Sequence, residues 1–241
     1  MIIRVFSREE LATGKQLQLD DKQSHYLVNV MRLTEKSVFF MFDGKNGEFS
    51  VTVTRIKHKT LTAIVGEKVA DFYASPDIWL LFAPLKKDNT DLVIQKATEL
   101  GVRKIIPIIT AYTNSEKVRT ERFRLQSIEA AEQSRRQDIP EICEPKELQK
   151  VINDWPNDRV LFFLNEKGNT ADFLSVLQNN KGKAAVLVGP EGGFSQTEAA
   201  SLLQKDFIRS IFLGKRILRA ETAVISALSC WQAVNGDWQE N

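Results

Sequence analysis

An α/β fold in two parts is predicted: a small β-barrel over residues 1–72, then a domain over 73–241 whose mostly parallel sheet carries helices on both faces. Three features predict it. The first part holds short β-prone runs and one amphipathic segment, the composition of a small barrel. From Ile78 onward, apolar runs alternate with helical periodicities, the β-α-β-α order of a parallel sheet. Ala184-Ala185-Val186-Leu187-Val188 is apolar throughout, as a strand covered on both faces must be.

In the first part, Val38–Phe42 and Glu48–Thr54 flank Asp43-Gly44-Lys45-Asn46-Gly47, two β-rich runs around a turn-forming segment and so a hairpin. Leu61–Val65 supplies a further strand. Ser24–Leu33, with Leu27, Val30 and Met31 apolar, reads as one short amphipathic helix. His25 reads from the residues alone as a structural or surface residue, with a contact to phosphate or a base as the sharper alternative. Arg4, Arg8 and Arg32 can join it, since phosphate contacts mostly need arginine or lysine.

Asp71–Asp77 is the expected linker. Ile78–Ala83 is a buried strand, and Asp88 can cap a helix in which Val93, Ala97 and Leu100 share a face and Gly101 ends the run. Ile105–Ile109 is the next strand, with Pro107 implying an edge or a bend. Lys86 and Lys87, after the first strand of the sheet, either meet RNA phosphate or are solvated. The helix from about Thr120 to Arg136 carries Arg119, Arg122, Arg124, Arg135 and Arg136, either a solvated face or an RNA-facing patch. A short helix near Leu148–Trp155 precedes the strand Val160–Leu164 and the loop Asn165-Glu166-Lys167-Gly168. The last helix, Val224–Val234, is apolar nearly all round and wants burial on more than one side, in the core or against a second copy.

Between them lies the stretch that organises the domain. Gly189-Pro190-Glu191-Gly192-Gly193 ends the strand 184–188, and Ser195 with Glu198 fits a capping box stapled by Phe194 and Ala199, so a helix should begin there. Ile211-Phe212-Leu213 is a second buried strand, stopped by Gly214. Glycine-bearing loops at the C-terminal ends of neighbouring parallel strands form the crevice where open α/β sheets bind ligands, although a glycine-rich segment here also serves simply as a tight turn. A phosphate loop is disfavoured: G-x-x-x-x-G-K-[ST] is missing and Pro190 removes an N–H.

At 241 residues, 43% hydrophobic and 27% charged, the chain has material for a core and is not of disordered composition. Its net charge of +2 does not by itself demand nucleic acid; only local clustering can. Cys143 and Cys230 lie far apart without a C-x-x-C, so neither disulfide framework nor metal site is indicated. No apolar run reaches membrane-spanning length and the N-terminus lacks a signal-peptide pattern, which leads us to expect a cytoplasmic protein.

Leu187–Ser195 (LVGPEGGFS), followed by Leu213–Ala223 (LGKRILRAETA), closely resembles the signature of the ribosomal RNA uridine-N3-methyltransferases, members of the SPOUT superfamily of knotted methyltransferases. The pair, in this order and separation, is far more specific than either motif alone. His25, Arg32 and Phe42-Asp43-Gly44 match the family's PUA-like RNA-binding module, and Glu129–Arg136 with Ile139-Pro140 also resembles its pattern. The resemblance implies a trefoil knot built from Ala184 onward, a homodimer, 16S ribosomal RNA of the small subunit as substrate and S-adenosylmethionine as cofactor. Leu164, Asn165, Glu166, Val188, Gly189, Pro190, Gly192, Gly193, Leu213, Gly214, Ile217 and Leu218 would line the cofactor site, and Glu221, Thr222 and Ala223 would complete its wall. Arg4, Arg8, His25, Arg32, Lys86, Lys87, Arg122, Arg135 and Arg136 are the residues expected to meet RNA.

Uridine N3 is protonated at neutral pH and a poor nucleophile, so its proton must be removed or shared and the attack aligned. Arg219 can stabilise the developing anion on the carbonyl oxygens. Glu191 or Glu221 can take the proton, or merely hold Arg219 or a loop N–H. Because pairing occupies N3 in duplex RNA, the target must be unpaired or flipped out, which suits a separate RNA-gripping domain. Two other readings stand beside this one: a ribosome-assembly protein that binds RNA without transferring methyl groups, and a SPOUT enzyme acting on a ribose 2′-hydroxyl.

Overall fold

The computed structural model describes residues 3–58, 60–113, 118–166 and 173–239. They fall into two compact units, residues 1–74 with 131–139, and residues 75–130 with 140–241.

The first unit contains β1 (Arg4–Phe6), β2 (Gln16–Gln18), α1 (Asp21–His25), β3 (Val38–Phe42), β4 (Glu48–Lys57) and β5 (Thr60–Ala70). Its sheet runs β1-β3-β4-β5-β2, with β1 parallel to β3 and the other pairs antiparallel. The period of two puts Phe39, Met41, Val51, Val53, Leu61, Ala63 and Val65 on one face, where they bury Leu27. Where the sequence suggests a barrel, the ladder is open between β1 and β2 among the described residues. The amphipathic helix also differs. It starts earlier, at Asp21 with Asp20 as cap, and passes into a π-helical turn over Tyr26–Val30 closed by Met31 N–H donating to the Tyr26 carbonyl. That wider turn shifts the helical face, so Leu27 is buried while Val30 is 58% exposed.

The hairpin turn is built on Asp43. Its carboxylate accepts from the backbone N–H groups of Leu11, Lys45 and Asn46 and from Asn46 Nδ2, while Gly44 and Gly47 take the left-handed φ values of 79° and 98° that the turn needs. Partial burial opposes ionisation of Asp43, but the donors of Asn46, Leu11 and Lys45 outweigh it and hold the carboxyl below the usual aspartate range. Its contribution to stability is therefore complete above the ordinary value of about 3.9 and is lost as the pH falls through the lower folded value. Asp43→Ala should cost about 1–3 kcal/mol at neutral pH, and less in acid. Urea titrations at pH 7 and pH 3 check this, and an equal loss at both would contradict the role of the charge.

Arg4 is a core residue of this unit. It donates through Nε to Glu48 Oε2 at 2.9 Å, through Nη1 to the carbonyls of Ala131 and Glu132 at 3.0 and 3.1 Å, and through Nη2 to that of Arg136 at 3.3 Å. Its guanidinium also lies 4.5 Å from the centroid of the Phe42 ring. Glu132 Oε1 in turn accepts from the Phe6 N–H, so segment 131–139 is fastened beside β1. Arg136 is buried and paired with Asp138. Of the arginines expected to meet RNA, Arg4 and Arg136 are thus withdrawn from the surface, 6% and 4% exposed respectively.

The second unit contains β6 (Ile78–Phe82), α2 (Lys87–Glu99), β7 (Lys104–Ile109), the greater part of α3 (Thr120–Ser134), β8 (Glu141–Ile142), β9 (Lys146–Glu147), α4 (Leu148–Asn153), β10 (Val160–Leu164), α5 (Phe173–Asn179), β11 (Ala184–Val188), α6 (Gln196–Leu203), β12 (Ile208–Ile211) and α7 (Ala220–Asn235). Every strand pair is parallel, in the order β12-β10-β11-β6-β7-β8, with β9 on the same side of β7 as a second short piece. The central strands are buried on both faces. Ile78, Leu80, Phe82, Phe162, Val186 and Val188 pack with Val93, Ala97, Leu177, Val224, Leu228 and Trp231, while Leu81, Leu161, Phe163, Ala185 and Leu187 pack with Leu148, Ile152 and Leu202. Helices α2, α5 and α7 therefore cover one face and α4 and α6 the other.

Four local expectations change. Pro107 is not on an edge strand; the outer neighbour of β7 is split, with β8 pairing Lys104 and Ile105 and β9 pairing Ile108 and Ile109, and Pro107 falls in the gap. Helix α2 starts at Lys87 with Lys86 as cap, and Asp88 lies in its first turn. The strand expected at 211–213 is Ile208–Ile211, so Phe212 and Leu213 belong to the loop. Helix α7 begins at Ala220, four residues early, which makes Ala220–Ala223 a helical turn.

Candidate active site

The sheet order sets β12, β10 and β11 side by side, and because they are parallel their C-terminal ends emerge on one edge. Three loops leave that edge. The first continues β10: Asn165 N–H donates to the Ile211 carbonyl at 3.0 Å, extending the ladder by one residue, and Asn165 and Glu166 follow Leu164 to the limit of the description. Lys167 and Gly168, expected in the same loop, lie outside the described residues.

The second loop follows β11. Gly193 N–H donates to the Pro190 carbonyl at 2.8 Å, closing a turn in which Gly193 has φ +69°. A Cβ on Gly189 would stand 2.7 Å from the Phe194 ring, which itself packs edge-on against Phe163 with centroids 5.1 Å apart. Phe194 thus lies across Gly189, and a side chain there would have to displace it. The capping box exists as its spacing predicts: Ser195 Oγ accepts from Glu198 N–H and Glu198 Oε2 accepts from Ser195 N–H. Glu198 Oε1 also accepts from Ala111 N–H at 2.8 Å, linking the loop after β7 to α6. That loop brings Tyr112, half exposed, against Gly192, where an added Cβ would sit 3.3 Å from the tyrosine Cβ. Nothing in the local pattern around Tyr112 signals this contact; it arises from the fold.

The third loop runs from Phe212 to Arg219. Leu164, Leu213, Leu218 and Ala220 pack their side chains against the hydrophobic core. Ile217 is 83% exposed and Gly214 has φ +101°. Arg219 is the N-cap of α7 and its exposed side chain makes no capping bond. Glu221, in the first turn, is 8% exposed, and its Oε2 has no hydrogen-bond partner. The first turn of a helix also leaves backbone N–H groups without intrahelical acceptors. Thr222 is exposed, Ala223 is buried, and Val188 and Pro190 are buried at the root of the second loop.

The three candidate catalytic groups therefore differ in setting. Arg219 and Glu191 are exposed at the rim, whereas Glu221 is enclosed. Burial pushes the Cys230 thiol up, away from the reactive thiolate.

The residues expected to contact RNA separate in the same manner. Arg8, His25, Arg32, Lys86, Lys87 and Arg135 are exposed, and His25 Nδ1 is within hydrogen-bond distance of Asn29 Nδ2, at 2.7 Å. Arg122 is half-buried and pairs with Asp91 on α2, which neutralises it. Arg124 pairs with Glu121. The arginine-rich helix is accordingly less of a cationic patch than its composition suggests.

Residues 74–232 match the family model described as an RNA methyltransferase domain, and residues 19–66 the one described as an RNA methyltransferase PUA domain. Fold and site thus define an RNA methyltransferase with a SPOUT-type parallel-sheet domain and a PUA-like N-terminal domain. The Aquifex aeolicus protein named ribosomal RNA small subunit methyltransferase E is 37% identical over 233 residues, covering 94% of this chain and 98% of its own. Its namesake from Rickettsia conorii is 32% identical over 229 residues, covering 94% and 93%. The crystal structure of the same-named enzyme from Neisseria gonorrhoeae bound to S-adenosyl methionine matches with a TM-score of 0.90 and 26% identity, over 99% of this chain and 100% of that one. A putative methyltransferase of Legionella pneumophila, in complex with the bound cofactor, matches with a TM-score of 0.89 and 29% identity, over 98% and 99%. The chain belongs to the ribosomal RNA small subunit methyltransferase E family.

Proposed function

We propose that the protein methylates N3 of a uridine in 16S ribosomal RNA of the small subunit, using S-adenosylmethionine, and that it works in the cytoplasm as a homodimer. The observation that carries the reading is the loop cluster itself: three strand-end loops side by side at one sheet edge, with an exposed arginine at the adjoining helix start. The family membership and the donor-bound relatives support the same reading. That none of the described helices is long and apolar enough to cross a membrane is compatible with it.

The residues present fit such a cofactor. Backbone groups around Leu164, Gly189, Leu213 and Leu218 offer donors and acceptors for adenine and ribose beside apolar side chains, and Asn165, Gly192, Gly193, Gly214 and Ile217 complete the lining. The unpartnered Glu221 Oε2 is an acceptor waiting for a hydroxyl or amino group, because a buried carboxylate oxygen left unbonded is costly. S-adenosylmethionine, when bound, supplies a methyl group activated by its sulfonium. In this chain Arg219 holds the negative charge that develops on the uridine carbonyl oxygens, and Glu191, the exposed carboxylate, accepts the N3 proton. Glu221, shut away from a macromolecular substrate, is a binding and positioning group. The residues 1–72 grip the RNA and 73–241 perform the transfer, with the C-terminal segment from Ala184 threaded as a knot. On α7, Leu228 and Trp231 serve the chain's own core, so pairing with a second copy falls to its other face and to Trp238, 58% exposed.

Transfer of labelled methyl to ribosomal RNA and to assembled small subunits, followed by nucleoside analysis, tests the reading. N3-methyluridine is expected. A ribose-methylated product would replace the reaction by 2′-O transfer, and no transfer by folded protein would leave only RNA binding.

A further inference from the structure

Among the described residues, the non-glycine residues with left-handed backbone are Arg32, Lys36, His58 and Arg135, at φ 58°, 70°, 55° and 62°. All four are basic, all are exposed, and all belong to the first unit. Glycine or asparagine takes this conformation at least cost and histidine tolerates it, so a lysine or arginine there is a local disadvantage. Strain of this kind concentrates where a side chain serves a function.

Two of the four gather at the distal end of the β4–β5 hairpin. His58 lies at its tip. Lys36 N–H donates to the Val53 carbonyl at 2.8 Å, Val53 N–H donates to the Ser37 carbonyl at 2.9 Å, and Glu35 Oε1 accepts from Ile56 N–H at 3.2 Å, which lays loop 34–37 along the outer half of β4. A register shift between Val53 and Arg55 re-aims this half of the strand, so that Arg55 stands opposite Thr62 and Lys57 opposite Thr60. Arg55, Lys57, His58, Thr60 and Thr62 line a concave site of about 350 Å³. Arg4, Lys15, Lys45, Lys68 and Arg136 of this unit are paired, with Glu48, Glu9, Glu10, Asp71 and Asp138, whereas Arg8, Lys22, Arg32 and Arg135 are exposed like the cations of the hairpin end. Among the described residues none of Lys36, Arg55, Lys57 and His58 makes an ion pair. Glu35 is the acidic group tied to this segment, through the Ile56 N–H.

We infer that the outer end of the β4–β5 hairpin, with Arg55, Lys57 and His58 beside the Thr60 hydroxyl and Lys36 on the adjoining loop 34–37, is a phosphate-binding site that grips the backbone of the substrate RNA. Arginine and lysine with a flanking threonine hydroxyl are a donor set of sequence-independent phosphate contacts. The site strengthens and orients binding without choosing the base. It rests on the RNA-methyltransferase reading and adds a contact distant in sequence from the motifs that suggested it.

The test uses full-length protein and purified small-subunit ribosomal RNA, with binding measured at several salt concentrations. Arg55→Gln with Lys57→Gln should weaken binding on the order of tenfold and lower the slope of log affinity against log salt by about one per lost contact. Exchange of the two cations, Arg55→Lys with Lys57→Arg, should restore most of it, and Lys68→Gln should change little. Lys36→Gly with His58→Gly relieves the backbone and should weaken RNA binding while leaving the thermal midpoint equal or higher. Wild-type binding with no loss in the glutamine variant overturns the hairpin site. A loss accompanied by a lower midpoint in the glycine variant makes those two residues structural and overturns their part. Failure of the wild type itself to bind RNA sinks the underlying reading instead.

Discussion

Arg219→Ala is expected to reduce methyl transfer by roughly 100- to 1,000-fold, the usual cost of removing one donor from a developing oxyanion, while the protein stays folded. The expectation follows from the residue's position. Arg219 is the N-cap of α7, where serine, threonine, asparagine or aspartate is preferred and where a cation meets the positive end of the helix dipole. Its side chain makes no capping bond and, among the described residues, no ion pair; Lys215 and Arg216 close by add like charge. For stability alone, arginine is a poor residue here. Arg219→Ser should therefore raise stability, by about 1 kcal/mol, as it abolishes most activity. Turnover, calorimetric affinity for S-adenosylmethionine and a thermal melt separate the possibilities. Activity within a few-fold of wild type in both variants would remove Arg219 from the reaction, and a fall in the melting temperature would assign it to the fold.

The second large effect is on stability. Arg4→Met should cost about 3–5 kcal/mol, because it leaves Glu48 without its partner at 14% side-chain exposure and leaves the carbonyls of Ala131, Glu132 and Arg136 without their donor. Arg8→Met, just past the end of β1 and exposed, should leave stability unchanged. Urea unfolding followed by fluorescence measures both. If Arg4→Met stayed within 1 kcal/mol of wild type while RNA binding fell sharply, the side chain would be serving the surface rather than the core.

Arg4 also marks the limit of what the chain discloses by itself. Its partners lie 44 and 127 to 132 residues away, and no spacing rule spans such distances. Read locally, a lone arginine in an N-terminal strand is a surface cation. The same blindness affects Arg122, whose charge is cancelled by Asp91 on another helix, and Arg136, whose neighbour Asp138 is visible but whose burial is not. It also explains the hairpin end, where Arg55, Lys57 and His58 look like an ordinary solvated run until loop 34–37 and the register shift define a shared concavity.

Where a feature depends on neighbours within a few residues, the sequence alone determined it. The five apolar positions of β11, the glycine turn, the Ser195–Glu198 capping box and the turn on Asp43-Gly44 were all legible, because periodicity, φ preference and side-chain-to-backbone bonding act over that range. The order of the strands, the burial of Glu221, the meeting of Tyr112 with Gly192 and the division of the chain inside α3 were decided only by the tertiary structure. Each of these depends on which distant group fills the space beside a residue, and it is the folded chain that brings those groups together.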